Sequence, residues 1–86
     1  MRLDKFLKVS RVIKRRTLAK EVCDRGQILL NGRTAKAGSV VKPGDILDIN
    51  FGARRLKIRI NLILASVPAK EADNMYEILE DIRQET

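Results

Sequence analysis

Residues 26–49 read GQILLNGRTAKAGSVVKPGDILDI, and the choice of fold class turns on them. Ahead of this stretch, apolar residues recur at helical spacing. Within it they come as short runs separated by turn residues. Ile28, Leu29 and Leu30 make a strand, and Arg33, Thr34 and Ala35 make the strand that returns from it. Between them stands Asn31-Gly32, a pair that tolerates the positive φ angles of a two-residue hairpin turn. Lys42-Pro43-Gly44-Asp45 supplies a second turn, with Pro fixing φ and Gly free to take a positive value. Ile46 to Ile49 follows as another strand. Helical signals ahead of a turn-rich, strand-rich stretch predict an α+β chain.

Working outward, Leu3, Phe6 and Leu7 fall at i, i+3, i+4 and predict a short amphipathic helix from about residue 3. Asp4 is an acid in its first turn, favourable to the helix dipole and able to orient a neighbouring arginine. A break is expected around residues 14–16. Thr17 then reads as the N-cap of a second helix, with Leu18 and Val22 as its apolar line. Gly26 is placed to end that helix in the left-handed conformation. Cys23, beside Val22, reads as a small core residue. Downstream, residues 50–55 contain Gly52 and predict another reversal. Leu56-Lys57-Ile58-Arg59-Ile60 alternates apolar and basic residues, as a half-buried strand does. Val67-Pro68 marks a boundary. From about residue 69, Ala72, Met75, Ile78, Leu79 and Ile82 fit one helical stripe among Glu71, Asp73, Glu77, Glu80 and Asp81. That pattern predicts an acidic amphipathic C-terminal helix over 69–84. The expected division is a domain over 1–66, with its core motif in 1–49, and the acidic helix in 67–86.

Charge is distributed along the same lines. The chain carries a formal net charge of +7, from 18 Lys and Arg against 11 Asp and Glu. Residues 1–20 alone hold eight Lys or Arg against Asp4, residues 21–59 eight against four, and residues 60–86 two against six. Charge of one sign gathered on one element attracts a polyanion. Composition removes other classes of function. There is no His, so imidazole acid–base chemistry and imidazole metal sites are excluded. The single Cys excludes an internal disulfide and a thiolate metal site. No phosphate-binding glycine pattern occurs. Two Phe, one Tyr and no Trp are too few for stacking platforms that read single-stranded bases. No apolar run is long enough to span a bilayer. With 86 residues there is little room for a substrate cavity or a catalytic domain. A cytoplasmic, non-enzymatic chain that binds by shape and phosphate contact, with no cofactor, metal or catalytic residue, is expected.

The elements in order resemble a known RNA-binding family, the alpha-L motif or S-four domain. The matching residues are Arg2-Leu3-Asp4-Lys5-Phe6-Leu7, Arg11, Lys14-Arg15-Arg16, Ala19-Lys20, Val22 with Gly26, Ile28, Asn31-Gly32, Lys36, and Val41-Lys42-Pro43-Gly44-Asp45. The resemblance implies two helices packed on a small, twisted, mostly antiparallel sheet, with the exposed basic face of the helices docked on structured RNA. Arg2, Lys5, Lys8, Arg11, Lys14, Arg15, Arg16, Lys20 and Lys36 are the candidate RNA-binding residues. Arg can grip phosphate with two parallel hydrogen bonds, and Lys supplies a mobile point charge. The MRLDKFLKVSR start and the acidic end are similar to a free-standing, ribosome-quality-control branch of the family in Gram-positive bacteria. A small heat-shock branch in Gram-negative bacteria is related. The likeness implies binding to large-subunit ribosomal RNA and peptidyl-tRNA on obstructed large subunits, in aid of C-terminal alanine tailing of stalled nascent chains. The tailing factor RqcH is then a partner, no membrane is involved, and the chain is a monomer off the ribosome. A ribosomal-RNA-binding, assembly or heat-shock module without a tailing role is the alternative.

Overall fold

The computed structural model describes residues 1–63, 72 and 74–83. In chain order the elements are α1 (Leu3–Val9), α2 (Arg16–Asp24), β1 (Ile28–Leu30), β2 (Arg33–Thr34), β3 (Ile46–Asn50), β4 (Arg54–Ile60) and β5 (Tyr76–Arg83). The strands form one sheet in the order β2-β1-β3-β4-β5, and every neighbouring pair is antiparallel. This is the α+β architecture expected from the sequence, with two helices preceding the sheet.

The turns form where their residues demand. Asn31 and Gly32 have φ of 52° and 85°, the mirror-image turn that matches the twist of a hairpin. Asn31 does more than tolerate that conformation. Its Nδ2 donates to Asp45 Oδ1 at 3.0 Å, while its Oδ1 accepts from the Ile46 amide at 2.9 Å. An aspartate could not supply that donor, so the amide side chain locks the hairpin tip to the start of β3. Asp45 is buried, and it also accepts the Lys42 amide at 2.9 Å, which closes the Pro43-Gly44 turn beneath it.

The core lies between the helices and one face of the sheet. Leu3, Phe6 and Leu7 from α1, Ala19, Val22 and Cys23 from α2, and Ile28, Leu47, Ile49, Leu56, Ile58 and Ile60 from the sheet are all buried in one cluster. Alternation in β3 and β4 sends Leu47, Ile49, Leu56, Ile58 and Ile60 to this face and Ile46, Asp48, Lys57 and Arg59 to the other. In α2 the expected apolar line is corrected. Arg15, not Thr17, is the N-cap, and no side chain caps the helix. Ala19, Val22 and Cys23 face inward at i, i+3, i+4, while Leu18 is 46% exposed. A stripe centred on those three residues leaves Leu18 at its margin, although Leu18 and Val22 are themselves spaced i, i+4.

The expected C-terminal helix is also corrected: residues 76–83 are the strand β5, paired along the full length of β4. The rest of the predicted helix, apart from Ala72, Asn74 and Met75, lies outside the described residues. The helical spacing of Ile78, Leu79 and Ile82 comes from a bulge. Ile58 pairs with Ile78 and Lys57 with Glu80, so Leu79 is an extra residue that breaks the two-residue alternation. An isolated helix of this length is marginal in water, because its nucleus is costly. Pairing with β4 satisfies backbone groups on both strands and sets acids opposite bases. Arg54 holds Asp81 through two hydrogen bonds of 2.9 Å, Arg59 pairs with Glu77, and Glu80 stands across from Lys57.

The Arg54 hydrogen bonds hold the Asp81 carboxyl below its ordinary value of 3.8. A carboxyl depressed in the folded state stabilises that state above its unfolded pKa, and the gain is lost as pH falls through the folded value. Acidification below about pH 4 should therefore lower hydrogen-exchange protection factors in β5 before those in β3. Asp81→Asn should remove most of that difference between the two strands.

Candidate functional site

The start of α1 is built to present arginine. The first amides of a helix lack intrahelical partners, and here those of Leu3, Asp4 and Lys5 each find one. The Leu3 amide donates to Ser39 O at 2.7 Å, and the Asp4 amide to Ala37 O at 3.1 Å. The Lys5 amide donates to Asp4 Oδ1 at 2.8 Å, and the Phe6 amide makes the first intrahelical bond, to Arg2 O at 3.0 Å. Arg2 forms an antiparallel bridge with Val40, and the Val41 amide donates to Met1 O at 2.9 Å. The first residues are thus clamped into the loop over residues 35–41, which fixes where the Arg2 side chain leaves the backbone.

Asp4 lies at the centre of the site. It is 3% exposed, and its carboxylate faces two arginines from different helices. Arg2 Nε stands 3.2 Å from Oδ1, and Arg16 Nε stands 3.7 Å from Oδ2. A second Arg2 nitrogen reaches Oδ2 at 3.4 Å. Both arginine side chains are more than half exposed, at 56% and 53%. Each guanidinium has five N–H donors in a rigid fork, so donors remain for an anion arriving from solvent. One buried negative charge holding two cations leaves a local excess of one positive charge and gives both side chains a fixed origin.

The connection between the helices is itself unusual. Ser10 is fully buried and ends α1, and Arg11 follows with φ of 63°, the left-handed conformation that glycine usually supplies at a helix end. The Arg11 amide donates to Lys8 O, and the Ile13 amide to Leu7 O, both at 3.0 Å. Ile13 is buried and pins the bend to the core, while Arg11, Lys14, Arg15 and Arg16 point to solvent. Left-handed backbone at a residue with a Cβ costs about 1–2 kcal/mol, so the bend holds its arginine against a conformational penalty.

All nine candidate residues, Arg2, Lys5, Lys8, Arg11, Lys14, Arg15, Arg16, Lys20 and Lys36, are exposed. Arg2 and Arg16 are brought together through Asp4. Lys5 and Lys8 lie on the exposed side of α1, and Lys20 is one turn beyond Arg16 on α2. Lys36 is carried by the loop that caps α1, its amide donating to Ser39 Oγ at 3.0 Å, and among the described residues its side chain makes no ion pair with the cluster. Arg16 as the second partner of Asp4 was not readable in advance, because eleven residues and a bend separate the two. Cys23 takes no part. Burial first, then the nearby Asp4 and Asp24, pushes its thiol up to about 11, so it stays protonated and unreactive near neutrality.

Comparison with known proteins accords with this arrangement. The S4 domain family model matches residues 1–47, which hold both helices, the bend and the hairpin. The RQC P-site tRNA stabilizing factor of Bacillus subtilis is 57% identical over 81 residues, 94% of this chain and 94% of that protein. The protein of the same name from Streptococcus pneumoniae is 47% identical over 85 residues, 99% of this chain and 97% of that one. Among solved structures, the trimeric Heat Shock Protein 15 of Vibrio cholerae superposes with a TM-score of 0.83 at 32% identity, covering 91% of this chain and 80% of that chain.

Replacing Arg11 by Gly should relieve the left-handed backbone. Chemical denaturation should show stability unchanged or raised by up to about 1 kcal/mol, the gain limited by the greater freedom of glycine in the unfolded chain.

Proposed function

The chain belongs to the S4 domain family, in the branch that holds the RQC P-site tRNA stabilizing factors, and from that premise we propose that it is a non-catalytic RNA-binding factor of ribosome quality control. It docks on large-subunit ribosomal RNA and on the P-site tRNA of obstructed large subunits. By steadying that tRNA it assists alanine tailing of the stalled nascent chain by a factor of the RqcH type. It works in the cytoplasm, as a monomer away from the ribosome.

The observation that carries this reading is the Arg2–Asp4–Arg16 cluster beside the exposed Arg11, Lys14 and Arg15. Paired guanidiniums anchored from behind can meet successive phosphates of a folded RNA with two hydrogen bonds each, and little side-chain entropy is left to lose on binding. Recognition then falls on the shape of a phosphate ridge and not on base identity, in keeping with the scarcity of aromatic residues. The proposed division of labour gives RNA contact to residues 1–66. Residues 67–86 stay off the RNA, because β5 carries Glu77, Glu80 and Asp81.

A titration against purified large subunits, with and without P-site tRNA, tests the role. The tRNA-bearing particles should bind more tightly, and Arg16→Glu should abolish binding to both at a temperature where unfolding curves show the variant folded, since reversing a partner of the buried Asp4 also costs stability. About four to six phosphate contacts should give a log–log salt slope of roughly −3 to −5. Equal binding to both particles would reduce the protein to a general ribosomal-RNA-binding module. Indifference to Arg16→Glu would remove the site.

A further inference from the structure

Among the described residues, one large hydrophobic side chain is far more exposed than the rest. Val40 is 72% exposed, against 52% for Ile78, the next in order. It belongs to the loop over residues 35–41, which is a fixed ledge and not a loose tip. Ala35, Ala37 and Val41 are buried and anchor it to the core, while Lys36, Gly38 and Val40 face solvent. Ser39 ties down the middle of the loop. Its amide donates to Lys36 O at 2.9 Å, and its carbonyl accepts the Leu3 amide at 2.7 Å.

The ledge is built against Arg2. Arg2 and Val40 stand opposite each other in their antiparallel bridge, so their side chains leave the backbone on the same side. Gly38 lies against the guanidinium, since a Cβ there would stand 3.8 Å from Arg2 Nη2. The cation held by Asp4 thus has bare backbone at its head and an exposed apolar side chain beside its stem.

Charge narrows the occupant. From Asn31 to Gly44 the chain carries Arg33, Lys36 and Lys42, all exposed, and no acid. Among the described residues, the acids hydrogen-bonded to this stretch are Asp4 and Asp45, and both are buried. Such a surface suits a polyanion, and a single valine is too small a patch for a protein interface. The polyanion must then offer apolar surface directly beside its phosphates. In an RNA duplex the ribose does so: the A-form minor groove is wide and shallow and displays the sugars, whereas that of B-form DNA is narrow. We propose that residues 36–40 form a ribose-docking ledge, on which Val40 packs against sugars in the minor groove of an RNA double helix while Arg2 and Lys36 meet the flanking phosphates. The proposal rests on the RNA-binding function above and adds to it the form of the RNA and an uncharged residue that selects it.

The probe is a short RNA hairpin, compared with a DNA hairpin of the same sequence, titrated with the full chain over a series of salt concentrations. The lowest is chosen so that DNA also binds by charge. Val40→Ser, Val40→Ile and Arg16→Glu are measured at a temperature where unfolding curves show each variant folded. Val40→Ser should weaken RNA binding several-fold and narrow the preference for RNA over DNA. Its log–log salt slope should stay unchanged, because no phosphate contact is lost. Val40→Ile keeps the apolar surface and should bind like the unsubstituted chain. Unchanged RNA affinity in Val40→Ser would overturn the proposal, as would an equal loss on DNA, an altered salt slope, or an equal loss in Val40→Ile. Failure of the unsubstituted chain to bind the hairpin would also overturn it, and the RNA-binding function would still be judged by the large-subunit titration. Indifference of hairpin binding to Arg16→Glu, with Val40→Ser weakened as expected, would count against the arginine cluster and leave the ledge standing.

Discussion

The carboxylate of Asp4 is the constraint on which the rest of the site depends. It is buried at the start of the first helix and holds one arginine from that end and another from the start of the second helix. A buried charge is tolerated when it is paired and hydrogen-bonded, and this one meets two guanidiniums and the Lys5 amide. The consequence is geometric. Two long, flexible cations that would otherwise sample many rotamers leave the surface from a shared anchor, and the entropy of ordering them is lost on folding and not on binding. The clamp of residues 1–4 into the loop over 35–41 serves the same end, because it sets the position from which Arg2 reaches the carboxylate.

The molecule also separates its charges. The helices carry the basic block of residues 1–20, and in the sheet Arg54 and Arg59 of β4 are met by Asp81 and Glu77 of β5. That pairing does two things at once. It gives the strand β4 a partner, and it neutralises arginines that would otherwise extend the cationic field around the sheet. The densest positive charge thus stays on residues 1–20, where the anchored arginines are, while the acids of β5 offset part of the charge of β4. A bound polyanion is directed to one side of the domain.

Much of this was legible in the residues themselves. Asn31-Gly32 and Pro43-Gly44 announced their turns, because only a few residue types accept those backbone angles, and the alternation in 56–60 announced β4 with its two faces. The exposed basic residues of the first two helices were nameable because the long stem of Lys or Arg on a short surface helix carries its charged head to water. Three features were hidden. The helical spacing of Ile78, Leu79 and Ile82 disguised a strand, since one bulge residue converts a period of two into an imitation of a helical stripe. The exposure of Leu18 was hidden because it shares i, i+4 spacing with Val22, while the buried stripe is centred on Ala19, Val22 and Cys23 and leaves Leu18 at its margin. The shared partner of Arg2 and Arg16 could not be read because it depends on how the bend at Arg11 folds one helix back on the other, and the bend holds an arginine where a glycine would have signalled it.

The most direct test of the account is the affinity of the Asp4→Asn variant for tRNA-bearing large subunits, measured at fixed ionic strength and at a temperature where unfolding curves show the variant folded. The substitution removes a negative charge from a cationic surface, so simple attraction to RNA should increase. If Asp4 acts by holding Arg2 and Arg16 in place, affinity falls several-fold despite the added positive charge. Binding that is equal or tighter would contradict the claim that this carboxylate organises the site.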